Sequence, residues 1–204
     1  IKLLDKLFIR ANNLDYVTQS FQALLKDTPV KKIFDAINKF STNSEIRYVG
    51  GCVRKILQNE AVDDIDLATN LNPQQVCKAL EQNNLNFYKT GIEHGTITAV
   101  INNYKFEITS LREDVKTDGR HAEVKFSADW KKDALRRDFS INAIYSDSEG
   151  NLFDPFNGKR DLENGLVKFI GSADQRIKED YLRILRYLRF FSKYSNHKHD
   201  SSIL

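Results

Sequence analysis

Apolar and polar positions along this chain follow two periods, and the switches between them predict its elements. Residues 28–40 run at the helical period: Val30, Ile33, Phe34, Ile37 and Phe40 share one face, with Thr28 as cap and Pro29 in the first turn. Ile46–Val49 reads as a short strand feeding Gly50-Gly51, and 52–58 as a helix. Residues 64–68 alternate as a strand, with Ile65 and Leu67 on one face and Asp64 and Asp66 on the other. Asn72-Pro73-Gln74-Gln75 supplies a cap, a proline at the first helical position and a capping-box glutamine for a helix through about Gln82. Thr96–Ile101 and Tyr104–Ser110 predict a hairpin around Asn102-Asn103, and the first arm is so apolar that it should lie centrally in a sheet. Residues 111–125 are charged and turn-rich and predict a mobile loop.

Further on, 129–135 reads as a helix, 141–146 as a strand turning at Glu149-Gly150-Asn151, and 166–170 as one more strand. A single long helix is expected from near Asp174, with Ile177, Tyr181, Ile184, Leu185, Leu188 and Phe191 on its apolar side. No internal repeat or low-complexity tract interrupts this order. The pattern predicts an α+β fold: a small mixed sheet with helices, a helical lead before it and the start of a helical region after it.

The 204 residues, 41% hydrophobic and 29% charged, describe one substantial globular domain or one domain with the start of another. A net charge of +3 does not by itself point to nucleic acid, but Arg183, Arg186, Arg189, Lys193 and Lys198 gather near the C-terminus. No apolar run approaches membrane-spanning length and no secretory signal pattern opens the sequence, so no membrane partner is expected. Cys52 and Cys77 have neither metal-ligand nor disulfide spacing and read as reduced thiols of a cytosolic protein. The absence of any Met and the stop soon after an amphipathic segment suggest a piece of a longer protein.

The most informative chemistry is Asp64-Ile65-Asp66, downstream of Gly50-Gly51-Cys52-Val53-Arg54. Two carboxylates on one strand face repel unless a divalent cation sits between them, and Mg²⁺ suits such oxygen donors. Glycines let a backbone approach phosphate, and Arg54 can fork onto its oxygens. This combination suggests a metal-dependent phosphoryl or nucleotidyl transferase. In Arg136-Arg137-Asp138-Phe139-Ser140-Ile141-Asn142-Ala143, the arginines could hold triphosphate while Asp138 and Asn142 orient them or bind ribose; a surface salt bridge is the alternative. Glu107 falls on the non-core face of its strand, as a third carboxylate, a base for an attacking hydroxyl, or an ordinary solvated residue. Asp180, Arg183, Arg186 and Arg189 recur every third residue, either as a row for a base edge and phosphates or as a plain basic face.

Together these motifs resemble the class II tRNA nucleotidyltransferase and bacterial poly(A) polymerase family, whose best-known members are CCA-adding enzymes. Asp154-Pro155-Phe156-Asn157-Gly158 with Asp161-Leu162, Glu107-Ile108-Thr109-Ser110-Leu111-Arg112, Asp118-Gly119-Arg120-His121 and Glu179-Asp180-Tyr181-Leu182-Arg183-Ile184-Leu185-Arg186 complete the match over about residues 30–195. The resemblance implies a polymerase-beta-like nucleotidyltransferase head at 28–153 after a lead at 1–27. A hinge and the beginning of an all-helical neck follow at 154–204, with body and tail absent. It implies that Asp64 and Asp66 bind Mg²⁺ and that Gly51, Arg54 and Arg137 contact the nucleotide. Asp180, Arg183, Arg186 and Arg189 would read its base and hold its phosphates. The implied reaction is attack by the tRNA 3′-hydroxyl on the α-phosphate of CTP or ATP, in the cytoplasm or, for a eukaryotic source, the mitochondrial matrix. Poly(A) polymerase, CC- or A-adding activity, or nucleotide and RNA binding without turnover remain open, as does the oligomeric state. One position departs from the family pattern: Lys55 stands where an aspartate usually follows the motif arginine.

Overall fold

The computed structural model of the chain describes residues 16–118 and 121–198, so residues 1–15 of the expected lead lie outside it. A helix over 16–27 (α1) leads directly into α2, Val30–Asn38. Thr28 closes the first helix as well as meeting the second: its N–H and its hydroxyl donate to the Leu24 carbonyl, at 3.1 and 2.7 Å, while its Oγ1 accepts the Val30 N–H at 3.4 Å. Pro29 takes the cap position of α2 without a side-chain bond. Val30, Ile33, Phe34 and Ile37 are buried, as their period requires.

Seven strands form one mixed sheet: β1 (Ile46–Val49), β2 (Ile65–Thr69), β3 (Asn86–Gly91), β4 (Thr96–Ile101), β5 (Tyr104–Ser110), β8 (Tyr145–Ser146) and β9 (Leu152–Phe153). Their order is β3-β4-β5-β2-β1-β8-β9. The central pair, β2 and β5, is parallel and sets Leu67 beside Ile108 on the core face and Asp66 beside Glu107 on the other. Helices α2, α3 (Gly51–Leu57) and α4 (Pro73–Gln82) cover the core face, burying Ile33, Val53, Val76, Leu80, Ile97 and Phe106 in one cluster. The capping box of α4 forms as its sequence requires: Asn72 accepts from the Gln75 N–H at 2.9 Å and Gln75 accepts from the Asn72 N–H at 3.0 Å. Asn102 and Asn103 both take positive φ (48° and 67°), the conformation a two-residue hairpin needs.

Several expectations are corrected. β4 is interior but not central, because β3 covers its outer side; β3 is polar and largely exposed, so hydrophobic periodicity does not disclose it. Residues 111–125 are not a loop but a separate ribbon of β6 (Arg112–Asp118) and β7 (His121–Phe126). Its register sets Glu113 opposite Lys125, and the two form an ion pair at 3.6 Å. The expected loop residues Gly119 and Arg120 lie outside the described residues. After α5 (Trp130–Leu135), the strand expected at 141–146 shrinks to Tyr145–Ser146, because Ser140–Asn142 forms a 3₁₀ turn. The strand expected at 166–170 is reduced to a single bridge between Phe139 and Phe169.

The long helix is two: α7 (Ala173–Glu179) and α8 (Leu182–Tyr194), with α6 (Gly158–Glu163) before them. Asp180 is extended (φ −156°, ψ 107°), and its carboxylate accepts the Leu182 N–H at 2.9 Å, so it ends one helix and opens the next. The buried face is also different. Tyr187 and Phe190 pack against Phe139 and Phe169, while Tyr181, Leu185 and Leu188 of the expected apolar side are exposed. Gly158 fixes where α6 meets this region: a Cβ there would lie 2.1 Å from the Ser140 carbonyl oxygen. Asp154 holds that corner, accepting from the N–H groups of Gly158 and Lys159 at 2.7 and 2.9 Å.

Candidate active site

A cavity of about 640 Å³ opens where the non-core face of β2 meets the start of α3, the segment after α5, and α8. Gly50, Gly51, Arg54, Asp66, Arg112, Arg136, Arg137, Asp138, Asn142, Asp180, Arg183, Arg186 and Arg189 line it. Every nucleotide-contacting residue expected from the sequence is therefore in one place, although Asp180 lies nearly 130 positions from Gly51. Seven arginines face three aspartates across this space, the balance of a site for a polyanion.

Not all of these groups are free. Asp138 accepts from Asn142 Nδ2 at 3.0 Å and from Arg186 Nε at 2.7 Å, and is buried. Asn142 in turn accepts from Arg54 Nη1. Asp138 and Asn142 thus form a bridge from α3 to α8 that aims two arginines. Arg54 is itself buried, its guanidinium lying 4.7 Å from the Phe190 ring centre and 5.2 Å from that of Tyr194. Arg183 donates from Nη1 to Glu179 at 2.6 Å and to the Arg176 carbonyl at 2.8 Å.

Four supporting residues had not been singled out. Asp133, 1% exposed, takes Arg136 at 2.8 Å, Arg137 at 3.1 Å and the Tyr145 hydroxyl at 2.7 Å. Burial alone would raise its pKa, but Arg137, Arg136 and the Tyr145 hydrogen bond bring it down to about 2. Burial opposes the charge on Arg137 as well, yet Tyr145 and Asp133 more than offset it, so the guanidinium stays protonated. Arg176 donates to the backbone carbonyls of Arg136 and Arg137, at 2.8 Å for the latter, and to Glu179 at 2.6 Å. A signal for Asp133 existed: it stands three and four residues before Arg136 and Arg137, one helical turn away. Glu179 likewise precedes Arg183 by four.

The carboxylates expected to hold metal are arranged differently. Asp66 faces the cavity, close to the α3 turn: a Cβ on Gly51 would lie 3.9 Å from its Oδ2. Asp64 is exposed and just outside β2, which begins at Ile65, and neither it nor Glu107 lines the cavity. Both are still felt. Burial first, then Glu107, raise the Asp66 pKa; Arg137 opposes, Asp64 adds to the rise, and Arg54 opposes in turn. Among the described residues no three His, Cys, Asp or Glu side chains converge as a ready metal site, so the expected donors are a pair, not a closed cluster. Lys55 pairs with Asp63, immediately before Asp64, and does not line the cavity.

The human mitochondrial CCA tRNA nucleotidyltransferase 1 is 51% identical over 152 residues, 74% of this chain and 35% of that protein. A CCA-adding enzyme of Listeria monocytogenes is 38% identical over 168 residues, 79% of this chain and 41% of its own length. The crystal structure of the Bacillus stearothermophilus CCA-adding enzyme in complex with CTP superposes with a TM-score of 0.69 at 30% identity, over 80% of this chain and 39% of that one. A tRNA nucleotidyltransferase complexed with a primer tRNA and an incoming ATP analog gives 0.62 at 28%, over 78% and 44%. This chain spans between a third and a half of the length of these relatives. No helix among the described residues is long and apolar enough to cross a membrane. Residues 46–168 match the model of the poly A polymerase head domain, and the chain belongs to that family.

Proposed function

We propose that this chain is the catalytic head and first neck helices of a CCA-adding enzyme. It would transfer CMP and AMP from CTP and ATP to the 3′ end of tRNA and release pyrophosphate. The observation that carries this reading is the cavity itself, where one carboxylate with a raised pKa faces seven arginines. The relatives crystallised with CTP, with primer tRNA and with an ATP analog support the choice of substrates. We take 28–153 as the head and 154 onward as hinge and neck. The cytoplasm or the mitochondrial matrix is the proposed compartment, the second supported by the human relative's description.

The donor chemistry fits Mg²⁺. Asp66, with Asp64 nearby and Glu107 in register, concentrates negative charge that burial makes costly, and hard carboxylate oxygens suit this cation. Bound at Asp64 and Asp66, Mg²⁺ would lower the pKa of the attacking hydroxyl and neutralise charge on the leaving pyrophosphate. The chain's own groups position the rest. Arg137, held by Asp133 and Tyr145, and Arg186, held by Asp138, bind triphosphate oxygens in fixed directions. A bond forms between the 3′-oxygen and the α-phosphorus as the bond to pyrophosphate breaks, and Glu107, the register partner of Asp66, would take the hydroxyl proton.

Asp180 and Arg183 both line the cavity and select the base. A carboxylate only accepts and a guanidinium only donates. Cytosine and adenine offer an amino donor beside a ring acceptor, which this pair satisfies; uracil and guanine offer the reverse. The test incubates a tRNA lacking its 3′ end with each labelled nucleotide and Mg²⁺ and sequences the product. Addition of C, C and A in order is expected. A run of A alone would assign poly(A) polymerase activity instead, and no incorporation would contradict transfer by this chain.

A further inference from the structure

The face of the sheet that carries Asp66 continues beyond the cavity. Register pairs join four strands in one row: Asp66 beside Glu107, Glu107 beside Thr98, and Thr98 beside Tyr88 at the outer strand. Residues in register share a face, so Tyr88 stands on the same side as the carboxylates. It is 60% exposed, while its neighbour Phe87 turns to the core on the opposite face. Strands spaced about 4.8 Å apart put it roughly 14 Å from Asp66. Lys105, exposed on β5 two residues before Glu107, lies on that face too. It precedes Phe106 just as Asp64 precedes Ile65, the register partner of Phe106.

The two sides of Asp66 differ in chemistry. On one side are the arginines that suit triphosphate; on the other is a ledge with a lysine and an exposed aromatic ring. In-line displacement requires the attacking oxygen to approach opposite the leaving group. An acceptor strand therefore has to come to Asp66 from the side away from the arginines, across β5 and β4. Single-stranded RNA is held elsewhere by cationic groups along its backbone and by aromatic rings on which any base can stack.

We propose that the β3–β4–β5 ledge is the acceptor-strand subsite, with Tyr88 stacking an unpaired base near the RNA 3′ end and Lys105 contacting a backbone phosphate. This rests on the nucleotidyl-transfer reading and extends it to a surface outside the nucleotide cavity. The test uses a fluorescent single-stranded RNA ending in CC, measuring anisotropy at low salt without nucleotide and, separately, the KM for RNA and for ATP in transfer. Tyr88→Ala should weaken RNA binding roughly five- to a hundredfold, the span of one base–aromatic stack. The KM for RNA should rise while that for ATP holds. Tyr88→Phe, which keeps the ring, should retain wild-type binding. Lys105→Ala should weaken binding and flatten its salt dependence. Unchanged RNA affinity in Tyr88→Ala, equal loss in Tyr88→Phe, tighter binding of a blunt RNA duplex, or no RNA binding by the unaltered chain would each overturn the subsite. Transfer bears on the parent reading alone: a chain that binds RNA through Tyr88 but incorporates no nucleotide keeps the ledge and loses the proposed activity.

Discussion

Asp133 and Asp66 flank the same arginine, Arg137, and the two acids behave in opposite ways. Asp133 is enclosed by Arg136, Arg137 and the Tyr145 hydroxyl, all within 3.2 Å, and its pKa falls to about 2. Asp66 is partly desolvated without such partners, with Glu107 and Asp64 as like-charged neighbours, and its pKa rises. The first acid is satisfied and holds the fold; the second has like-charged neighbours and no such enclosure, which is why we propose it as the group that meets a cation and a substrate. A strongly perturbed carboxylate thus marks function only when its perturbation is uncompensated.

If that contrast is right, removing each acid should damage a different property. Asp133→Ala leaves two partly buried guanidiniums and a buried hydroxyl without their shared partner and should cost about 3–5 kcal/mol of stability, read as a fall in the urea midpoint. The pH dependence of unfolding sharpens the point. A depressed native pKa gives stability that is full above the unfolded value of 3.8 and lost as pH falls toward about 2. That depression corresponds to about 2 kcal/mol that should vanish over that window in the wild type and be absent from the profile of Asp133→Asn. A flat difference between the two profiles would remove Asp133 from its structural role.

Gly158 belongs with Asp133 as a residue of the fold. Gly158→Ala should destabilise by roughly 1–3 kcal/mol, because the nearest atoms are the backbone of Ser140 and not a flexible side chain. Asp180→Ala touches both properties: it should relax base choice toward UTP and GTP by about 1–3 kcal/mol of discrimination, and, because its carboxylate also accepts the Leu182 N–H, cost about 0.5–2 kcal/mol of stability. Unchanged preference for C and A in that variant would take base reading away from Asp180. The smallest effect is expected at Lys55 and Asp63, a pair whose side chains are 21% and 72% exposed. Asp63→Ala should change stability by under about 1 kcal/mol.

What could be read from the residues followed from local rules. The Asn72 capping box, the Asn102-Asn103 turn and the alternation around Ile65 and Leu67 are each decided within a few positions, and each is found as expected. The misses arose where distant contacts decide. β3 is a strand because β4 pairs with it, not because of its own polar composition. The ribbon at 112–126 is two strands because its arms pair with each other, though its charged composition reads as a loop. The break at Asp180 depends on one carboxylate turning to the Leu182 N–H, and it alters which face of α8 is buried. For the site, residue types and spacing brought out the arginines and Asp66, but not which arginines are already held. Asp138 and Asn142 look like ligand contacts in sequence and act as struts between Arg54 and Arg186 in the fold.

The most direct test measures unfolding and transfer side by side in Asp66→Asn, which removes the charge and keeps the shape. Stability should be unchanged or slightly raised, since the cost of partly burying the charge and its repulsion from Glu107 and Asp64 are both relieved. Incorporation of label from CTP and ATP into tRNA lacking its 3′ end should fall by about a hundredfold or more, the order of losing one transition-state contact. Transfer near the wild-type level, or a loss of stability as large as that of Asp133→Ala, would contradict the division between the two acids.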